Sequence, residues 1–146
     1  MKKIVTLIAL VFAINISKAQ KTKVSEIPKA VSESFKTNFP DVKDEVWEKE
    51  KDNFEAEFKI NTVEISATFN SDGKLLEREV KMNISELPET ITEYIKKNYP
   101  DYKLSEASRI VNSDGVLSYE AEIMKGKNTT DLLFDSNGSF LEKSKE

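Results

Sequence analysis

Cysteine and histidine are both absent from the 146 residues, and there are only four glycines, four prolines and one tryptophan. Without a thiol or an imidazole there can be no Cys-His or Ser-His nucleophilic site, no thiolate redox centre, no c-type haem attachment and no ordinary zinc site. Neither "GxxxxGK[ST]" nor "GxGxxG" occurs, so the usual phosphate-cradling loops are missing as well. Positive charge is in deficit: 22 Lys and Arg stand against 26 Asp and Glu, a net charge of −4. Nucleic-acid backbones and anionic membrane surfaces both need clustered basic residues, so neither is an expected partner.

The longest apolar run is "IVTLIALVFAINI", Ile4 to Ile16, which is short of the roughly 20 residues that cross a bilayer. Lys2 and Lys3 precede it and "SKAQ" follows, with Ser17 and Ala19 as the small residues of a cleavage site. That layout predicts a secretory leader over residues 1–19, an N-terminal anchor or buried helix being the competing reading. Removing the leader, which carries three lysines and no acid, takes the net charge to −7. The remaining length can bury roughly two-thirds of its unfolded surface without disulfides. An exported protein that is soluble after leader removal is expected, in the periplasm or outside the cell.

What is present is a repeated sentence. "VSEIPKAVSESFKTNFPD" begins at Val24 and "ISELPETITEYIKKNYPD" begins at Ile84. The apolar positions pair in order: Val24 with Ile84, Ile27 with Leu87, Val31 with Ile91, Phe35 with Ile95 and Phe39 with Tyr99. Further on, "FEAEF" at 54–58 meets "YEAEI" at 119–123, and "FNSDGKLLE" at 69–77 meets "FDSNGSFLE" at 134–142. Ordered matches along both halves predict a duplication, with units at 20–82 and 83–146.

Each unit is expected to open with a helix. Ser25 and Ser85 are candidate caps, Pro28 and Pro88 fall in the first turn, and Pro40 and Pro100 end the helices. Strands follow. "FEAEFKI" puts Phe54, Ala56, Phe58 and Ile60 on one face and Glu55, Glu57 and Lys59 on the other. "VEISATF" turns Val63, Ile65, Ala67 and Phe69 inward, and Leu117, Tyr119, Ala121 and Ile123 repeat the pattern. Asn61-Thr62 and the "NSDG" and "SNG" stretches supply the turns. The expected fold is α+β: two tandem α-β4 repeats with antiparallel sheets, each carrying one helix on one face. One helix on four short strands is marginal alone, so the two units are expected to join edge to edge or face to face and share a core.

The ordered set Leu87, Pro88, Ile91, Tyr99, Pro100, Asp101, Tyr119, Glu120, Phe134, Gly138 and Leu141 resembles the PepSY-like family of exported bacterial proteins, described as beta-lactamase-inhibitor-like. Ile27, Pro28, Val31, Phe39, Pro40, Asp41, Phe54, Glu55, Phe69, Gly73 and Leu76 carry the same likeness in the first half. The resemblance implies a tandem α-β4 fold with helices on one side of an extended sheet, and a restraining or inhibitor-like role toward a protein. It places no catalytic or target-contacting residue, because the matched positions are apolar, cap or turn residues.

The functional candidates come from the polar face. Glu55, Glu57, Lys59, Glu64, Ser66, Glu120 and Glu122, with Glu48 and Lys49 beside them, form a mostly acidic sheet face suited to docking a protein or basic peptide. Trp47 is a core residue or an exposed aromatic anchor, since in "DEVWEKEK" neither Val46 nor Trp47 clearly owns the inward face. Glu55 with Glu57, and Glu120 with Glu122, are expected to be solvated and ionised near their ordinary pKa values, and so not to act as general acids. Asn70, Asp72 and Glu77, like Asp135, Asn137 and Glu142, echo a calcium loop, but glycine and glutamate come too early, and a hairpin turn is the simpler reading. No enzyme activity, cofactor or metal is expected. The alternative function is an envelope protein that binds a small ligand or cation.

Overall fold

In the computed structural model, residue 23 and residues 26–144 are described. The leader and Val24 and Ser25 of the first helix start lie outside them. Helix α1, Lys29–Asn38, is followed by strands β1 (Val46–Glu50), β2 (Asn53–Ile60), β3 (Val63–Asn70) and β4 (Leu75–Lys81). Helix α2, Glu89–Asn98, is followed by β5 (Lys103–Asn112), β6 (Leu117–Lys125), β7 (Asn128–Asp135) and β8 (Phe140–Lys143). The strands form one antiparallel sheet in chain order, β1 to β8.

The helices start one step later than expected. Pro28 and Pro88 are the residues before the first helical turn, and their carbonyls accept from Ser32 N at 3.0 Å and Thr92 N at 3.4 Å. Ser85 therefore does not cap α2. It sits in a short 3-10 turn, Ile84–Glu86, where the Glu86 carboxylate accepts from Asn83 N at 2.8 Å. Both helices end at an aromatic residue before proline, Phe39 and Tyr99, which cannot stay helical there.

Of the two ways of joining, edge to edge is the one adopted, and the strands of both units make one sheet. β4 pairs with β5 from Glu77↔Asn112 to Lys81↔Ser108, so the edge groups that each four-stranded unit would leave open satisfy one another. Both helices cover the same face. Yet the cores do not merge, contrary to expectation. Val31, Phe35, Trp47, Phe58 and Phe69 form one cluster under α1, and Ile91, Ile95, Ile123, Leu132 and Phe134 form another under α2. The reason lies at the seam, where the helix side of β4 and β5 carries the exposed Arg78 and Arg109, opposite Val111 and Val80. The halves share a hydrogen-bond ladder and no greasy interior.

Trp47 belongs to the first cluster: it is 3% exposed, pairs with Ala56 and packs edge-on against Phe35 with ring centroids 5.2 Å apart. It is the only tryptophan, so its fluorescence reports the first half alone. Because breaking the β4–β5 ladder would strand two sheet edges, Trp47 emission and far-ultraviolet circular dichroism are expected to change at the same urea midpoint. Separate midpoints would show that the halves melt independently.

Candidate functional site

Strand alternation places the polar residues on the face away from the helices, as the sequence predicts. The register then builds rows across the sheet. One row runs Glu48–Glu55–Thr68–Glu77 over β1 to β4, and another joins Glu57, Ser66 and Glu79. On the far half the rows are Ser108–Glu120–Leu133–Glu142 and Glu106–Glu122–Asp131. The twisted sheet bends this face into a trough of about 1080 Å³, lined by twelve carboxylates and three lysines. At its tip, Ile60 and Val63 remain 42% and 40% exposed, so the inward pattern of β2 and β3 fades at their hairpin.

Charge within the trough divides into two regions. One is self-neutralised: Lys59 meets Glu64 at 2.9 Å, Lys81 meets Glu64 at 3.6 Å, and Lys81 also pairs with Glu106, making a chain across β2 to β5. The Lys59 contact holds Glu64 below the usual carboxylate range. For Lys81, burial opposes its charge, but Glu106 and Glu64 outweigh it and push the pKa up.

The other region is not neutralised. Burial pushes Glu55 up to about 8 despite a Ser66 hydrogen bond, with Glu57, Glu50 and Glu79 adding repulsion. Burial with Glu79, Asp131, Glu77 and Glu122 nearby pushes Glu120 to about 9. Glu77 rises to about 7 and Asp131 to about 6, each by burial first and neighbouring carboxylates second. Glu79 is raised in the same way, although Ser108 and Lys81 oppose the shift. None of these five carboxylates has an ion pair among the described residues. The expectation that Glu55 and Glu120 are solvated and ordinarily ionised is therefore overturned: Glu55 is only 6% exposed, because side chains packed along a concave sheet shield one another.

Of the residues singled out by sequence, Glu55, Glu57, Lys59, Glu64, Ser66, Glu120 and Glu122 share this face, and Glu48 joins them. Trp47 does not, since it is buried beneath α1. Lys49 also lies on the helix side, its ammonium 5.7 Å from the Phe54 ring centre. The sequence reading missed Glu79, Lys81, Glu106 and Asp131, and weighed Glu77 only as part of a calcium-like loop. Their signals were present: Glu77, Glu79 and Lys81 alternate in "LEREVK", and Asp131 stands 65 positions after Ser66.

The loops that echo calcium sites are hairpin turns. Asn70 Oδ1 accepts from Asp72 N at 3.1 Å and Lys74 N at 2.8 Å, and Asp135 Oδ1 accepts from Asn137 N at 2.9 Å and Ser139 N at 2.8 Å. Glu77 and Glu142 point onto the sheet face instead of back to the turns. Among the described residues no group of three acidic side chains is arranged to hold a metal ion, and no helix is long and apolar enough to cross a membrane.

Comparison with known proteins agrees with this architecture. A periplasmic-described protein of Bacteroides eggerthii superposes with a TM-score of 0.71 at 16% identity, over 80% of this chain and 87% of that one. A DUF2874 family protein of Bacteroides uniformis gives 0.70 at 13% identity, over 80% and 88%. A BLIP-like protein of Bacteroides fragilis gives 0.62 at 20% identity, over 80% and 85%. At these identities the likeness is one of fold. No curated protein matches the chain. The family pattern described as beta-lactamase-inhibitor-like, PepSY-like matches residues 14–77 and again residues 62–142, so the chain belongs to the PepSY-like family.

Proposed function

We propose that this chain is an exported, non-enzymatic binding module, made of two PepSY-like repeats at residues 20–82 and 83–146 behind a leader at residues 1–19, that docks a basic protein or peptide on its open sheet face. The observation that carries this reading is the trough, where twelve carboxylates meet three lysines. The acidic excess of the trough would draw a partner's cations at long range, and the protonated carboxyls would ionise against them at contact. The twofold match of the family pattern and the α-β4, α-β4 element order support a repeated organisation. Small-ligand binding is the weaker reading, since such sites are mostly apolar with few polar groups and this trough is lined largely by charge. The protonated carboxyls make acid chemistry conceivable, but Glu55 and Glu120 stand four strands apart, about 19 Å by strand spacing, too far to act as a pair.

The test is retention of basic proteins from an exported fraction on the immobilised chain. Glu57→Lys with Glu122→Lys should abolish retention, whereas Glu33→Lys with Glu93→Lys, on the helix side, should preserve it. Raising salt should release the partner. Equal loss in both variants, or no retention by the original chain at low salt, would refute the reading.

A further inference from the structure

Two buried polar atoms among the described residues lack any hydrogen-bond partner, Thr68 Oγ1 and one Glu142 oxygen, Oε1. They belong to corresponding rows, one at the centre and the other at the end. Glu55, Thr68 and Glu77 are direct neighbours across β2, β3 and β4, and 65 positions later Glu120, Leu133 and Glu142 are direct neighbours across β6, β7 and β8. Each half thus carries a carboxylate–centre–carboxylate row on the open face. In the first half the centre is a hydroxyl, and in the second it is a leucine.

The first row holds an unmet hydrogen-bonding group. Thr68 is only 2% exposed, lies between two carboxylates and has a hydroxyl with nothing to bond. A buried hydroxyl without a partner is a cost that the apolar, equally branched valine would not incur, so its presence at this position needs an explanation. Glu79 on the adjacent row adds a third carboxylate. The outer lysines are already committed: Lys59 to Glu64, and Lys81 to Glu64 and Glu106.

Resting on the docking reading above, we infer that the row Glu55–Thr68–Glu77, with Glu79 beside it, is a subsite for one arginine side chain of the docked polypeptide. Its guanidinium enters between the two carboxylates and donates to both and to the Thr68 hydroxyl. Charge selects a cation. Dryness and geometry select the kind: a guanidinium is more weakly hydrated than an ammonium, so it loses less on entering a buried site, and its planar fork offers five donors to flanking acceptors. The Glu120–Leu133–Glu142 row lacks the central acceptor and is the weaker counterpart. Because Glu55 and Glu77 hold protons in the empty protein, entry of the cation expels protons to solvent.

The experiment titrates the full chain with N-acetyl-arginine amide and follows the side-chain carboxyl carbon signals by NMR at neutral pH. The carboxyls of Glu55, Glu77 and Glu79 should move together and saturate, with proton release detected calorimetrically in buffers of different ionisation heat. The lysine analogue should bind at least about threefold more weakly and the glutamine analogue not at all. Thr68→Val should weaken arginine binding about fivefold while raising or preserving the melting temperature, which a merely structural hydroxyl would not do. Glu55→Gln with Glu77→Gln should abolish it. Equal binding of lysine or tighter binding of spermidine, unchanged affinity in Thr68→Val, or shifts spread evenly to the helix glutamates Glu33 and Glu93 would each overturn the assignment. Should the arginine titration fail while the open face still retains a partner, the subsite is lost and docking stands. If arginine binds but no basic partner is ever retained, the row still takes a guanidinium but its assignment to a docked polypeptide is overturned.

Discussion

Acidifying the protein from about pH 8.5 to about pH 5.5 is expected to stabilise it, raising the urea midpoint by the equivalent of about 3 kcal/mol or more. The cause is the trough. Glu55 titrates at about 8 and Glu120 at about 9 in the folded chain, from an ordinary value of 4.5. Between those limits the folded state keeps protons that the unfolded state releases, so stability falls as pH rises through the folded values and is fully present only below the unfolded one. Each retained proton is worth about 1.4 kcal/mol per pH unit, so these two groups alone contribute up to about 2.8 kcal/mol per unit before relaxation and salt reduce it. Glu77, at about 7, and Asp131, at about 6, act in the same direction over a lower range. Glu64 works oppositely, since its depressed pKa gives stability that is lost only on stronger acidification. Urea titrations at fixed ionic strength check the prediction, and Glu120→Gln should flatten the slope by about one proton's share. A midpoint that is flat or higher at pH 8.5 would contradict the buried carboxyls.

Replacing Gly73 by alanine is expected to cost about 3 kcal/mol, roughly a third of the stability of an ordinary domain. Gly73 closes the β3–β4 turn with φ +83°, where an added Cβ is strained by about 1–2 kcal/mol. That Cβ would also lie 2.5 Å from the carbonyl oxygen of Ala30 in α1, a backbone atom that cannot swing aside. The corresponding Gly138, φ +79°, approaches α2 in the same way, but there the atom nearest an added Cβ is the Thr90 hydroxyl, on a side chain that can rotate. Gly138→Ala should therefore cost less than Gly73→Ala. Gly115→Ala, in a turn with φ +77° and open space around it, should cost only the conformational strain. Thermal or urea unfolding of the three variants tests the order. A Gly115 variant as damaged as the Gly73 variant would show that turn strain, not helix contact, dominates.

These two results draw on different kinds of legibility. The glycine turns could be read directly, because "NSDG" and "DSNG" recur after the same apolar residues and a left-handed turn position is a local requirement. Helix existence, strand alternation and the family likeness were readable for the same reason: periodicity is a property of neighbours in the chain. The failures were non-local. "DEVWEKEK" contains no cue that Trp47 faces α1, a choice fixed by pairing with Ala56. A shared core was inferred from the marginal size of each half, yet Arg78 and Arg109 at the seam keep the two clusters apart. The acidic face was recognised and its protonation was not. Alternation tells which way Glu55 points but not how far its neighbours bury it.

The order of residues was enough for the elements, their recurring pattern, the family, the acid-rich parity of the strands and the absence of thiol and imidazole chemistry. Packing in three dimensions sets that β4 pairs with β5, that the open face curves into a trough, and that Glu55, Thr68 and Glu77, each on a different strand, become neighbours. Secondary structure follows from side chains a few positions apart, whereas desolvation and charge crowding depend on strand register and sheet curvature, which are set by the whole chain at once.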